Sequence, residues 1–235
     1  MLTESRRKRR GGERVVPKGA ILFQKDYWER KSLERRRAPD HPVVRQYVVP
    51  KLDQIRRLIP LAKKNRLLDL GCGNGFFSYY FDQVCQTVGA DFSQKMLEKN
   101  PISQKILMDA ARLSFQDFSF DVVFCHALLH HVENIDQVLG EMRRVSRKYV
   151  VVLEPNRNNP FMFLFSALVP EERKAMEFSL GYLKGKLERN KLRVIASFSQ
   201  GMTVPNKTPV FLLPLVKWLD FNQPWGMTNI LIAER

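Results

Sequence analysis

Two carboxylates and three glycines carry most of the chemistry legible in this chain. Asp69 stands two residues before a Gly71-x-Gly73-x-Gly75 turn at the end of the apolar run 67–70, and Asp91 closes a second apolar run, 87–90, twenty residues past Gly71. A strand that turns sharply into a helix favours glycine, which adopts positive φ and lets a ligand approach the backbone at the helix N-terminus. A carboxylate at the tip of the neighbouring strand accepts hydrogen bonds from both hydroxyls of a ribose. Together these residues predict a nucleotide-cofactor site. No Ser-His-Asp or metal-ligand pattern competes with it, because His130 and His131 are adjacent rather than spaced as His-x-x-x-His on a helix.

A nicotinamide or flavin site carries Gly-x-Gly-x-x-Gly/Ala, whose third small residue would fall at position 76, a phenylalanine here. Instead, Leu68-Asp69-Leu70-Gly71-Cys72-Gly73-Asn74-Gly75 resembles motif I of the class I S-adenosylmethionine-dependent methyltransferases. Four further segments extend the likeness in order and spacing: Val88 to Ser93, Met108 to Leu113, Phe118 to Phe124, and Leu128 to Val132. They resemble the type 11 branch, which includes quinone-biosynthesis C-methyltransferases and many small-molecule methyltransferases. The likeness is concentrated in residues 60–155.

What the resemblance implies is specific. The cofactor is S-adenosylmethionine, with Asp69 and the Gly71, Cys72, Gly73, Asn74 and Gly75 turn around its amino-acid part. Asp91 takes the ribose, Phe92 flanks the adenine, and Met96 belongs to the same set. Asp109 and Ala110 meet the adenine edge, while Cys125, His126 and Ala127 line the floor near the sulfonium. Methyl transfer is an in-line displacement, so alignment and exclusion of water supply much of the rate and no metal is required. A base is needed only where the acceptor must lose a proton, and His126 is the candidate. Glu154, Asn156 and Arg157 are the candidates for orienting a substrate, and His130 and His131 read as structural. The Asp/Asn-Pro-Pro-Tyr/Phe tetrapeptide of amino-group methyltransferases acting on nucleobases is replaced by Cys125-His126-Ala127-Leu128, which disfavours a nucleobase acceptor.

The elements that must hold these residues alternate short apolar runs with helical patterns, giving an α/β chain. Strands are expected near 67–70, 87–90, 106–108, 121–125, 149–153, 192–198 and 227–233. The resemblance implies a Rossmann-like, doubly wound seven-stranded sheet, mostly parallel with the last strand antiparallel, and helices on both faces. Ser93 and Asn134 are expected helix caps, the latter with Gln137 in a capping-box pattern. Pro170 opens a helix as an N1 proline, and Ser179 caps the next, which ends at Asn190. A stripe of Val44, Tyr47, Val48, Leu52, Ile55 and Leu58 predicts a helix over 41–59, broken near Pro50.

Length and composition fit one α/β domain: 235 residues, 44% hydrophobic. The expected division is a basic, disordered tail over 1–20, lid helices over 21–60, and the methyltransferase domain over 61–235. That domain carries apolar substrate-side insertions near 156–178 and 200–226. The net charge of +15 is concentrated at the start, where residues 1–37 hold 13 Lys/Arg against 5 Asp/Glu. Such a tail offers anionic membrane or nucleic acid a contact by charge alone. The three cysteines form no Cys-x-x-Cys pair, so neither a disulfide framework nor a zinc site is expected. The absence of a signal-peptide pattern predicts a cytoplasmic protein, at most peripheral to a membrane. The leading expectation is methyl transfer to a small-molecule or lipid-linked acceptor. Its rivals are an RNA methyltransferase and a non-catalytic module that binds nucleic acid or a protein partner through its basic surface.

Overall fold

The computed structural model describes residues 36–235. The basic tail expected over 1–20 and the lid segment 21–35 lie outside the described residues.

The described chain runs α1 (Pro42–Leu58), β1 (Arg66–Leu70), α2 (Ser78–Phe81), β2 (Gln86–Asp91), α3 (Gln94–Lys99), β3 (Lys105–Leu107) and β4 (Phe120–His126). It continues through α4 (Ile135–Val145), β5 (Ser146–Pro155), α5 (Pro160–Leu168), α6 (Leu180–Arg189), β6 (Arg193–Gln200), α7 (Leu213–Trp218) and β7 (Thr228–Glu234). Short 3-10 turns cover Leu129–His131, Pro170–Glu177 and Val210–Leu212.

The seven strands form one sheet in the order β3-β2-β1-β4-β5-β7-β6. All neighbouring pairs are parallel except those of β7, which runs antiparallel to both β5 and β6. Successive residues of the central strands feed opposite cores. Val150 and Val152 face one cluster with Val138, Leu139 and Met142 of α4 and Leu183 and Leu187 of α6. Tyr149, Val151 and Leu153 face the other, with Val44, Val48 and Ile55 of α1 and Phe77 and Phe81. Strands buried on both faces need continuous apolar runs, which is what 149–153 and 230–233 supply. Ser93, Asn134 and Ser179 cap α3, α4 and α6 as expected, each accepting from a backbone N–H in the first turn.

Two expectations are corrected. The helix over 42–58 is continuous through Pro50. An interior proline costs about 3 kcal/mol, but α1 buries Val43, Val44, Tyr47, Val48, Leu52 and Ile55, and each such side chain is worth roughly 1.5–3 kcal/mol. Packing therefore outweighs the lost hydrogen bond. The proline at 170 opens a 3-10 segment rather than an α-helix.

Candidate functional site

The strand order reverses between β1 and β4, and there the carboxyl ends of the strands open into a cavity of about 820 Å³. Topological switch points are where ligands bind in doubly wound sheets. Asp69, Gly71, Cys72, Gly73, Asn74, Asp91, Phe92, Met96 and His126 all line this cavity, so most of the expected cofactor residues meet in one place.

The turn after β1 is bent by glycines at positive φ, 71° at Gly71 and 52° at Gly73. A side chain at Gly71 would collide with Leu128, whose Cδ1 lies 2.9 Å from the Cβ position, whereas Gly73 faces open space up to Arg36. The first glycine thus serves packing and the second leaves the backbone accessible. The Asp91 carboxylate braces this turn, accepting from Gly73 N–H at 2.8 Å and from Ser93 N–H at 2.9 Å. Asp69 accepts from the Ser78 hydroxyl at 2.5 Å. Burial raises Asp69 to about 7, opposed by the Ser78 hydrogen bond, and burial raises Asp91 as well. Two buried carboxylates with weakened acidity on one cavity wall suit a ligand bearing hydroxyl and cationic groups.

Ala127 lines it as well, whereas Gly75, Asp109, Ala110, Cys125, Glu154, Asn156 and Arg157 lie apart from the cavity lining. Gly75 packs against Asn100. Asp109 is exposed and accepts from Ala111 N–H at 2.8 Å, capping the turn that holds Ala110. Cys125 is fully buried in the core, where burial pushes its thiol up. Glu154 is also fully buried: one carboxylate oxygen accepts from Leu128 N–H and Leu129 N–H, and the other pairs with His130 Nδ1 at 2.6 Å. The Asn156 amide donates to the carbonyls of Pro224 and Gly226, and Arg157 is exposed, its backbone N–H donating to Phe178.

At the cavity floor, His126 Nε2 lies 2.7 Å from the Tyr47 hydroxyl, which also meets the Thr228 hydroxyl at 3.1 Å. Burial, reinforced by Lys51 and Arg36, lowers His126 to about 3. The ring is therefore neutral, and Nε2 shares a hydrogen bond with the phenol. Burial raises the phenol above its ordinary value, so the hydroxyl keeps its proton. The next residue, Ala127, holds a φ of 49°, an unfavourable backbone conformation for a side chain with Cβ. Lys51 is fully buried with Nζ 3.8 Å from the Tyr47 ring centroid, and burial lowers it to about 8.

On the opposite wall, His130 bridges Glu154 and, through Nε2 at 3.1 Å, Glu172 of the 170–177 turn. Burial alone would lower His130, but the two carboxylates hold it up at about 10. Among the described residues, the ligand atoms of His130, His131 and Glu172 come within 4.8 Å of one another. Both nitrogens of His130 are engaged by carboxylates, so its ring is satisfied as a buried ion-pair bridge.

Met162, Phe165 and the 203–207 strip, from the two segments expected on the substrate side, also line the cavity, as do Tyr47 and Thr228, which were not foreseen as site residues. Tyr47 belongs to the apolar stripe of α1, and only the hydroxyl on that stripe distinguishes it from core.

Comparison with known proteins supports the same region. A sequence model of the methyltransferase domain matches residues 68–152. The phosphatidylethanolamine N-methyltransferase of Cereibacter sphaeroides is 32% identical over 97 residues, covering 37% of this chain and 48% of that protein. The 27-O-demethylrifamycin SV methyltransferase of Amycolatopsis mediterranei is 31% identical over 107 residues, 40% of this chain and 39% of that one. The chain thus spans about half or less of the length of these curated relatives. Among solved structures, an S-adenosylmethionine-dependent methyltransferase from Thermotoga maritima superposes with a TM-score of 0.66 at 17% identity, covering 82% of this chain and 90% of that one. Another from Archaeoglobus fulgidus gives 0.60 at 19% identity, with 79% and 94% covered. At these identities the structures establish a shared fold.

Proposed function

We infer that this chain is a class I S-adenosylmethionine-dependent methyltransferase, a reading its match to the methyltransferase domain model supports, that it binds that cofactor at the carboxyl ends of β1, β2 and β4, and that it methylates a small-molecule or lipid-linked acceptor. The observation that carries the reading is the pair of buried carboxylates, Asp69 and Asp91, lining one cavity beside the open backbone of Gly73.

The residues present fit the cofactor. Asp91 would hold the ribose hydroxyls, Asp69 with the Gly71 and Gly73 backbone the amino-acid end, and Phe92 with Met96 the adenine side. When bound, the cofactor supplies an electrophilic methyl group on a positively charged sulfur. The protein's own part is to bind, align and exclude water. Tyr47 and Thr228 fix the ring of His126 at the floor, and Phe77 packs against it at 4.8 Å between ring centroids. A histidine lowered to about 3 is uncharged at neutral pH and too weak a base to take up a second proton there, so its part is to shape the floor and orient the acceptor rather than to store a proton.

Calorimetry of the purified chain with S-adenosylmethionine and S-adenosylhomocysteine tests the reading. Micromolar binding is expected; a folded sample that binds neither refutes it.

A further inference from the structure

Helix α5 is packed inside out. Of its nine residues, Pro160 to Leu168, the one that is buried is Ser166, while Phe161, Phe163, Leu164, Phe165 and Leu168 face solvent, the last at 72% exposure. The second insertion repeats the pattern: Val210–Leu212 and α7 bury no residue, and Phe211 and Trp218 are 79% and 78% exposed. Nine of the 17 exposed large hydrophobic residues among the described residues fall in these two short segments. Isolated exposed apolar side chains are ordinary, but a concentration on neighbouring elements marks a surface that meets an apolar phase.

The two insertions are joined by the side chains of Asn159 and Asn156. Asn159 caps α5 by accepting from Met162 N–H at 2.9 Å and donates to the Trp225 carbonyl at 2.6 Å. Asn156 adds hydrogen bonds to the carbonyls of Pro224 and Gly226. Both insertions reach the cavity mouth, α5 through Met162 and Phe165 and the second through Thr203 to Lys207. The apolar rim is thus continuous with the wall of the candidate active site.

Charge selects the occupant. Residues 159–169 contain no charged side chain, and 200–226 contain Lys207, Lys217 and a single acid, Asp220. That acid accepts from the Gln46 amide at 2.7 Å. Arg45 and Lys217 line one shallow depression beside the rim, and the chain as a whole carries +15. Exposed phenylalanine and leucine, tryptophan at the edge and basic side chains around them are the composition of a protein surface that lies in the headgroup region of an anionic bilayer. Among the described residues no helix is long and apolar enough to cross a membrane, so insertion would be shallow.

We propose that α5 and the Val210–Trp218 segment form a bilayer-docking rim, through which the acceptor, a lipid carrying its methylated group at the headgroup end, reaches the cavity without leaving the membrane surface. The choice of acceptor rests on the activity proposed above; the docking itself does not.

The full chain should cosediment with phosphatidylcholine vesicles containing phosphatidylglycerol and bind pure phosphatidylcholine more weakly. Phe211→Ser with Trp218→Ser should weaken partitioning at least about tenfold while leaving cofactor affinity and Tm unchanged, since both side chains are exposed. In a Trp28→Phe, Trp225→Phe background, brominated lipids should quench Trp218. Wild-type partitioning by the double variant overturns the proposal, as does vesicle binding abolished by deleting residues 1–20 alone. A wild-type dimer that the double variant dissociates, or RNA binding that it abolishes, each without vesicle binding, assigns the rim to another occupant and also overturns it. Vesicle binding by a chain that fails to bind S-adenosylmethionine supports the docking and refutes only the proposed activity.

Discussion

The Tyr47 hydroxyl, on the helix that precedes the first strand, lies 2.7 Å from Nε2 of His126, at the end of β4. With Thr228 on the last strand at 3.1 Å from the same hydroxyl, three distant parts of the chain converge on the cavity floor. The neutral His126 ring is held by a hydrogen bond rather than by charge.

Tyr47→Phe removes that hydroxyl and leaves the partner atoms of His126 and Thr228 unpaired, at a cost of about 1–2 kcal/mol. Once an acceptor is known, kcat should fall with the affinity for S-adenosylmethionine unchanged. Denaturation and steady-state kinetics on the same variant separate the two effects, and equal losses in kcat and cofactor affinity would refute the positioning role.

Asp91→Ala deletes the acceptor for Gly73 N–H and Ser93 N–H together with the proposed ribose contact. A hydrogen bond to a charged group is worth about 1.5–3 kcal/mol, so cofactor affinity should drop by ten- to a hundred-fold or more, measured by calorimetry. Unchanged affinity would place the cofactor elsewhere.

Asp69 should show a conflict between stability and binding. Its folded-state value of about 7 lies above the ordinary carboxylate range, so its contribution to stability is full at low pH and is lost as pH rises through about 7. Asp69→Asn should therefore raise Tm at pH 8 by a few degrees while weakening S-adenosylmethionine binding. Thermal scans at acid and alkaline pH check the sign.

The His130 bridge titrates at the other end of the scale. Its folded value of about 10 exceeds the unfolded value near 6.5. The stabilisation is complete below the unfolded value and lost as pH rises through about 10. Glu154→Gln, which breaks the buried pair, should cost roughly 3–5 kcal/mol and flatten this alkaline loss. His126, lowered to about 3, works in the opposite direction: its contribution is present above about 6.5 and lost as pH falls toward 3.

The turn after β1 and Asp91 were legible in the sequence because their demands are local: positive φ selects glycine, and a strand tip fixes where its carboxylate points. The sheet was legible because strands buried on both faces leave unbroken apolar runs at 149–153 and 230–233. Tyr47 was not, since 79 positions separate it from His126 and its neighbours on α1 are core residues. Nor was the His130 bridge, whose partners Glu154 and Glu172 arrive from β5 and from the 170–177 turn. The spacing around Pro50 suggested a break that burial along α1 overrides. Pairings set by tertiary packing leave no periodic trace.

The position of β7 between β5 and β6 sets an order of assembly. Among the described residues the one strand that pairs with β6 is β7, so during translation β6 must wait until β7 has been made before it can be zipped in. The same strand delivers Thr228 to the hydroxyl of Tyr47. A nascent chain can therefore complete its glycine turn early, but the cavity floor closes only once β7 has been made, and a chain truncated before 228 would display both apolar insertions with no finished site behind them.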